Sequence, residues 1–166
     1  TASSSASIEF TLGDYKEYKF FLVNIHPAND NIGFEFNFST DNGSNYNVTK
    51  TSTFHRAYHN EAGAGAVLEY QGAHDLAQST AYQDIITQAG NDADQASSGY
   101  IHIFNPSNSV FVKHYIGQMS TITYHDYNIN NFFAGYANTT SALTNIKFQM
   151  DSGNIDDGKI LMFGIN

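Results

Sequence analysis

The chain has 166 residues, enough for one domain, and it contains neither cysteine nor tryptophan. The missing cysteines exclude disulfides, thiolate metal sites and cysteine nucleophiles. Lys plus Arg number 7 against 16 Asp plus Glu, a formal net charge of −9, which argues against an electrostatic grip on nucleic acid or an anionic membrane. No run of about 18 apolar residues occurs, so no helix is expected to insert into a membrane.

Phe (13) and Tyr (11) together make up 14% of the chain, and charged residues also only 14%, against about 25% in an average domain. Aromatic and Asn/Ser/Thr-rich composition with little Lys or Glu is sheet chemistry rather than helix chemistry.

Residues 1–7 (TASSSAS) have neither the basic nor the apolar region of a signal peptide and read as a short flexible lead-in to a single domain spanning 1–166. Residues 8–11 alternate as a first strand. Residues 15–26 are apolar on both faces, with Tyr18, Phe20 and Leu22 opposite Phe21, Val23 and Ile25. That pattern predicts a strand in a covered sheet, ended at His26-Pro27 because proline cannot donate to the ladder. Phe34, Phe36 and Phe38 alternate with Glu35, Asn37 and Ser39, so the phenylalanines are expected in the core and Glu35 and Asn37 outward. Asp41-Asn42-Gly43 reads as a hairpin turn. Residues 46–54 and 66–70 read as further strands.

Over 75–89, Leu76, Tyr82, Ile85, Ile86 and Ala89 recur at helical spacing before Gly90, which predicts one short helix. Residues 91–98 read as loop; 100–104, 110–116, 120–125, 132–137 and 143–150 read as strands. Asp156-Asp157-Gly158 is expected to turn the chain into a last strand at 159–165. About ten short strands with one short helix predict an all-β protein, an antiparallel β-sandwich of the jelly-roll type.

His55 and His59 have the i, i+4 spacing of helical metal ligands, but their surroundings are strand-like. Four residues of strand span about 13 Å, too far for one ion. Arg56 also stands where a metalloprotease would carry glutamate. Asp92 and Asp94 give residues 91–94 a fragment of a calcium loop without a closing glutamate. Glu35, Glu61 and Glu69 each stand alone, and neither a nucleophile elbow nor a phosphate loop is present. No catalytic residue, metal or cofactor is therefore expected. The best candidate for binding is Tyr124-His125-Asp126-Tyr127-Asn128. Within it, Tyr124, Asp126, Tyr127 and Asn128 combine aromatic faces with short polar groups, the combination that sugar recognition uses.

Near the C-terminus, Thr140-Ser141-Ala142, Ile146-Lys147-Phe148, Ser152-Gly153-Asn154-Ile155, Gly158-x-Ile160 and Phe163-Gly164-Ile165 form an ordered string. It resembles small bacteriophage virion proteins, especially of marine tailed phages, that end in an IxFxxxSGNIxxGxIxxxGI hairpin. Residues 1–10, 15–26 and Ser44-Asn45-Tyr46 are similar to the same group. The resemblance implies a non-enzymatic structural protein located in the virion, as a jelly-roll module of a tail fibre or adhesin for host attachment. A capsid decoration or head-fibre subunit is the neighbouring role. Its implied partners are copies of itself, as a homotrimer, other virion proteins and a host cell-surface glycan. Two other classes remain: a free carbohydrate-binding module, and a glycan-degrading enzyme.

Overall fold

The computed structural model describes residues 2–166. Its elements are β1 (Ser7–Thr11), β2 (Glu17–Pro27), β3 (Ile32–Ser39), β4 (Lys50–Asn60), β5 (Val67–Tyr70), β6 (Gln83–Ala89), β7 (Ser97–Phe104), β8 (Lys113–Ile122), β9 (Tyr127–Ala137), β10 (Asn145–Met150) and β11 (Ile155–Ile165). Four strands form one antiparallel sheet in the order β1-β10-β3-β6. Seven form the other, in the order β11-β2-β7-β8-β9-β4-β5.

The core lies between the sheets. Phe34, Phe36 and Phe38 on β3 are fully buried and face Met150, Phe148 and Ile146 across the β3–β10 register. From the seven-stranded sheet come Tyr18, Phe20, Leu22, Ile101, Ile103, Tyr115, Met119 and Phe133. Aromatic rings dominate: Phe36 meets Phe38 at 5.1 Å and Tyr115 at 5.2 Å, both edge-on, the arrangement that ring quadrupoles favour.

The expected helix over 75–89 does not form; among the described residues there is no helix. Residues 83–89 are strand β6 at the edge of the smaller sheet. Two register shifts against β3 fall within these seven residues, because Ile32 faces Ala89, Phe34 faces Ile86 and Glu35 faces Asp84. Each bulge adds a residue and turns the following side chains over. Ile85 and Ile86 are therefore both buried, and the period-two alternation is broken into something that imitates a helical stripe.

Asn37 is the second departure. It points away from the phenylalanines, as alternation requires, yet it is fully buried. Its amide donates to the carbonyls of Tyr46 and Thr80, so the segments carrying those residues cover it.

Two expected hairpins are turns between sheets instead. Asn42 and Gly43 do adopt positive φ, but β3 and β4 lie in different sheets. So do β10 and β11, on either side of Ser152-Gly153-Asn154. Asp156-Asp157-Gly158 is a bulged stretch inside β11 rather than a turn before it. The segments expected at 110–116 and 120–125 merge into β8, and β9 begins five residues earlier than expected, at Tyr127. The residues before β1, expected to be loose, run along β11. Ala2 N–H donates to Gly158 O, and Ser5 and Ile155 exchange two backbone hydrogen bonds.

Candidate functional site

The β8–β9 hairpin carries the candidate residues. Thr123, Tyr124, His125 and Asp126 form its turn, closed by Asp126 N–H to Thr123 O at 2.9 Å and Thr123 N–H to Tyr127 O at 3.0 Å. Asp126 takes φ +58°, a conformation that aspartate tolerates better than most residues. Gln95, itself buried, holds the turn from below. Its Nε2 donates to Thr123 O at 3.2 Å and to Asp126 Oδ1 at 3.1 Å.

Tyr124 and Tyr127 line a pocket of about 240 Å³ together with Arg56 and Tyr58 of β4 and Gln88 of β6. Tyr58 and Tyr127 meet edge-on at 5.8 Å. The Arg56 guanidinium lies 5.1 Å from the Tyr58 ring centre, within cation–π range. Arg56 is fixed at two points, by Nε to Glu69 Oε1 at 2.8 Å and Nη1 to Gln88 Oε1 at 3.0 Å. Its charge is therefore largely committed, and the pocket sets three tyrosine rings beside the polar groups of Gln88, Thr123 and His125. The volume is below the roughly 300–1,000 Å³ of ordinary small-molecule sites, so the pocket suits part of a ligand rather than a whole one.

Asp126 and Asn128 do not join it. They open on a neighbouring hollow of about 320 Å³ lined also by His59, Asn60 and Glu61, with Tyr127 shared between the two. Asn128 Oδ1 there accepts from Ser120 Oγ at 3.3 Å. The four residues expected at one site are thus split: Tyr124 lines the first hollow, Asp126 and Asn128 the second, and Tyr127 both. Arg56, Tyr58 and Gln88 were not legible as site residues. They come from distant strands, and Gln88 lies in the segment whose period was misleading.

His55 and His59 lie on one face of β4, as the strand reading required. His55 stacks on Phe132 at 5.0 Å, and His59 Nδ1 sits 2.9 Å from Asn60 O. Asp94 lies in a hollow of about 610 Å³ with Asp156, Asp157, Asn24 and His26. Among the described residues no group of three His, Cys, Asp or Glu is placed to hold a metal ion. No helix among them is long and apolar enough to cross a membrane.

No protein-family model and no curated protein matches the chain. Among solved structures, scytalido-glutamic peptidase with a transition state analog inhibitor aligns over 97% of this chain and 76% of its own. The TM-score is 0.31 and the identity 9%, values at which no shared function or site follows.

Proposed function

We propose that this chain is a non-enzymatic structural protein of a bacteriophage virion, a jelly-roll module of a tail fibre or adhesin. The observation that carries the reading is the ordered string from Ile146 to Ile165, with its resemblance to small virion proteins. Its residues have definite work in the fold. Ile146, Phe148, Ile155 and Ile160 are buried, and Gly153 takes φ +76°.

The strand order supports the jelly-roll assignment. The smaller sheet sets β1 beside β10 and β3 beside β6. The larger runs β2, then the meander β7-β8-β9, then β4 and β5. This order is compatible with an eight-stranded double Greek key in which one strand position is widened to a three-stranded meander, with β11 added at the edge.

The outer face of β2 and β11 supports a role in assembly. Phe21, Val23, Leu161, Phe163 and Ile165 are 39, 39, 45, 52 and 42% exposed, an apolar patch interleaved with Glu17, Lys19 and Lys159 in the register, and exposed apolar groups of this size are what another protein surface covers. Copies of the same chain around a threefold fibre axis are the natural occupants. The pocket at Tyr124 and Tyr127 would then present an aromatic edge to a host glycan.

Labelling intact particles with an antibody to this chain tests the reading. Label on the tail is the expected result. Label on the head moves the chain to a capsid decoration or head fibre. A protein found only free, monomeric and binding glycan at millimolar affinity or better is a carbohydrate-binding module, and the virion reading falls.

A further inference from the structure

Lys50 and Asn37 form a buried pair with unusual geometry. Both are fully buried, Lys50 on β4 of the larger sheet and Asn37 on β3 of the smaller. The Lys50 Nζ lies 2.5 Å from Asn37 Oδ1, shorter than an ordinary N–H···O bond, and 2.9 Å from Val48 O. The carboxamide carbon is one C=O bond, about 1.2 Å, beyond that oxygen. The amine therefore sits against the carbonyl group of a carboxamide, out of water, with no carboxylate hydrogen-bonded to it.

Every other polar atom of Asn37 is held. Its Oδ1 also accepts from Phe38 N–H at 2.8 Å, and its Nδ2 donates to Tyr46 O at 2.8 Å and Thr80 O at 3.0 Å. The carboxamide cannot rotate away, and the Phe38 N–H is placed to stabilise charge growing on Oδ1. Glu35, two residues back on β3, emerges on the same face as Asn37. Gln149 Nε2 holds it at 2.8 Å, and Asp84 and Asp151 are its other charged neighbours.

We propose that Lys50 and Asn37 are joined by an intramolecular isopeptide bond, a covalent tie between the two sheets. The neutral Lys50 amine attacks Asn37 Cγ. The Nζ–Cγ bond forms and the Cγ–Nδ2 bond breaks. One proton passes from Nζ to Nδ2, which leaves as ammonia, and the product is a secondary amide. No oxidant, metal or cofactor enters the balance.

The protonation states suit this step. Burial lowers Lys50 to about 7, against a weak opposing pull from Glu35, so an uncharged nucleophile is available near neutrality. Lys113 gives the contrast. Its side chain is also little exposed, but its Nζ is less enclosed than that of Lys50 and meets the backbone carbonyl of Thr139, which offers no amide side chain to acylate it. The link would give the sandwich a covalent bridge at one end, whatever particle or surface the chain serves.

Intact mass of the folded full chain is the test. The expected mass is about 17 Da below that of the sequence, the loss of one ammonia. It should persist after denaturation, with a branched peptide joining Asn37 to Lys50 in the digest. Lys50→Met should keep the full mass. A folded wild-type chain at full mass overturns the proposal. So does a loss that maps to Asn42-Gly43 as a succinimide and survives in Lys50→Met.

Discussion

Phe36 shows how much one side chain carries in this core. It is fully buried, and it touches Phe38, Tyr115 and Phe148 at ring separations of 5.1, 5.2 and 6.2 Å. Phe36→Ala should therefore cost about 3–5 kcal/mol in a denaturant titration. A loss below about 1 kcal/mol would mean that the ring does not pack as the structure has it. Asp41 works by polar contacts instead. Its carboxylate accepts from Asn45 Nδ2 at 2.7 Å, Ser39 Oγ at 2.7 Å and Asn45 N–H at 2.9 Å. Those bonds hold its carboxyl down to about 2 from an ordinary 3.8. The folded state thus prefers the ionised form. The contribution is fully present above pH 3.8 and is lost as pH falls through about 2. A carbon-detected NMR titration should place the Asp41 midpoint near 2, and Asp41→Asn should flatten the acid limb of stability between these limits.

At the scale of the element, the turn between β10 and β11 decides whether the last strand reaches the other sheet. Gly153 sits there at φ +76°, and a Cβ would lie 2.5 Å from Asn29 Nδ2. Gly153→Val meets both a strained backbone and a clash, so it should cost at least about 1–3 kcal/mol in thermal or denaturant unfolding. A neutral result would show that the turn is not held in this conformation. The Ser152-Gly153-Asn154 signal was legible as a turn but not as a crossing between sheets. A positive-φ glycine fixes the local bend and is indifferent to which strand lies beyond it. The Phe34/Phe36/Phe38 alternation was legible for the same local reason: period two needs only one strand and one core. β6 was not, since its two bulges depend on its pairing with β3. The burial of Asn37 was hidden because the segments covering it lie 9 and 43 residues away. Tyr124 and Tyr127 could be picked from their neighbours in sequence. Arg56 and Gln88 could not, because only the packing of β4 and β6 against the β8–β9 turn brings them there.

For the whole molecule, the balance of charged and aromatic residues leads to a statement about assembly. The outer strip of β2 and β11 places Phe21 and Phe163 edge-to-face at 5.8 Å, with Leu161 opposite Phe21 in the register. Lys19 already lies over the rings of Phe21 and Tyr100, at 5.4 and 5.2 Å, so of the two lysines on this face, Lys19 and Lys159, one is turned toward the strip rather than toward a partner's carboxylate. An interface built on this face is held by apolar contact. Obligate interfaces of that kind bury about 2,000 Å² or more in total. Light scattering after size exclusion should find a symmetric oligomer at micromolar concentration. Raising salt to about 1 M, where the Debye length is about 3 Å, should leave it intact. Phe163→Asp should dissociate it by placing an unpaired charge in the contact, while the exposed position of residue 163 leaves the monomer folded. Dissociation by salt alone would instead mean that ion pairs hold the assembly. A wild-type monomer in low salt would leave the strip without a second copy to cover it and would favour a free glycan-binding module over the fibre.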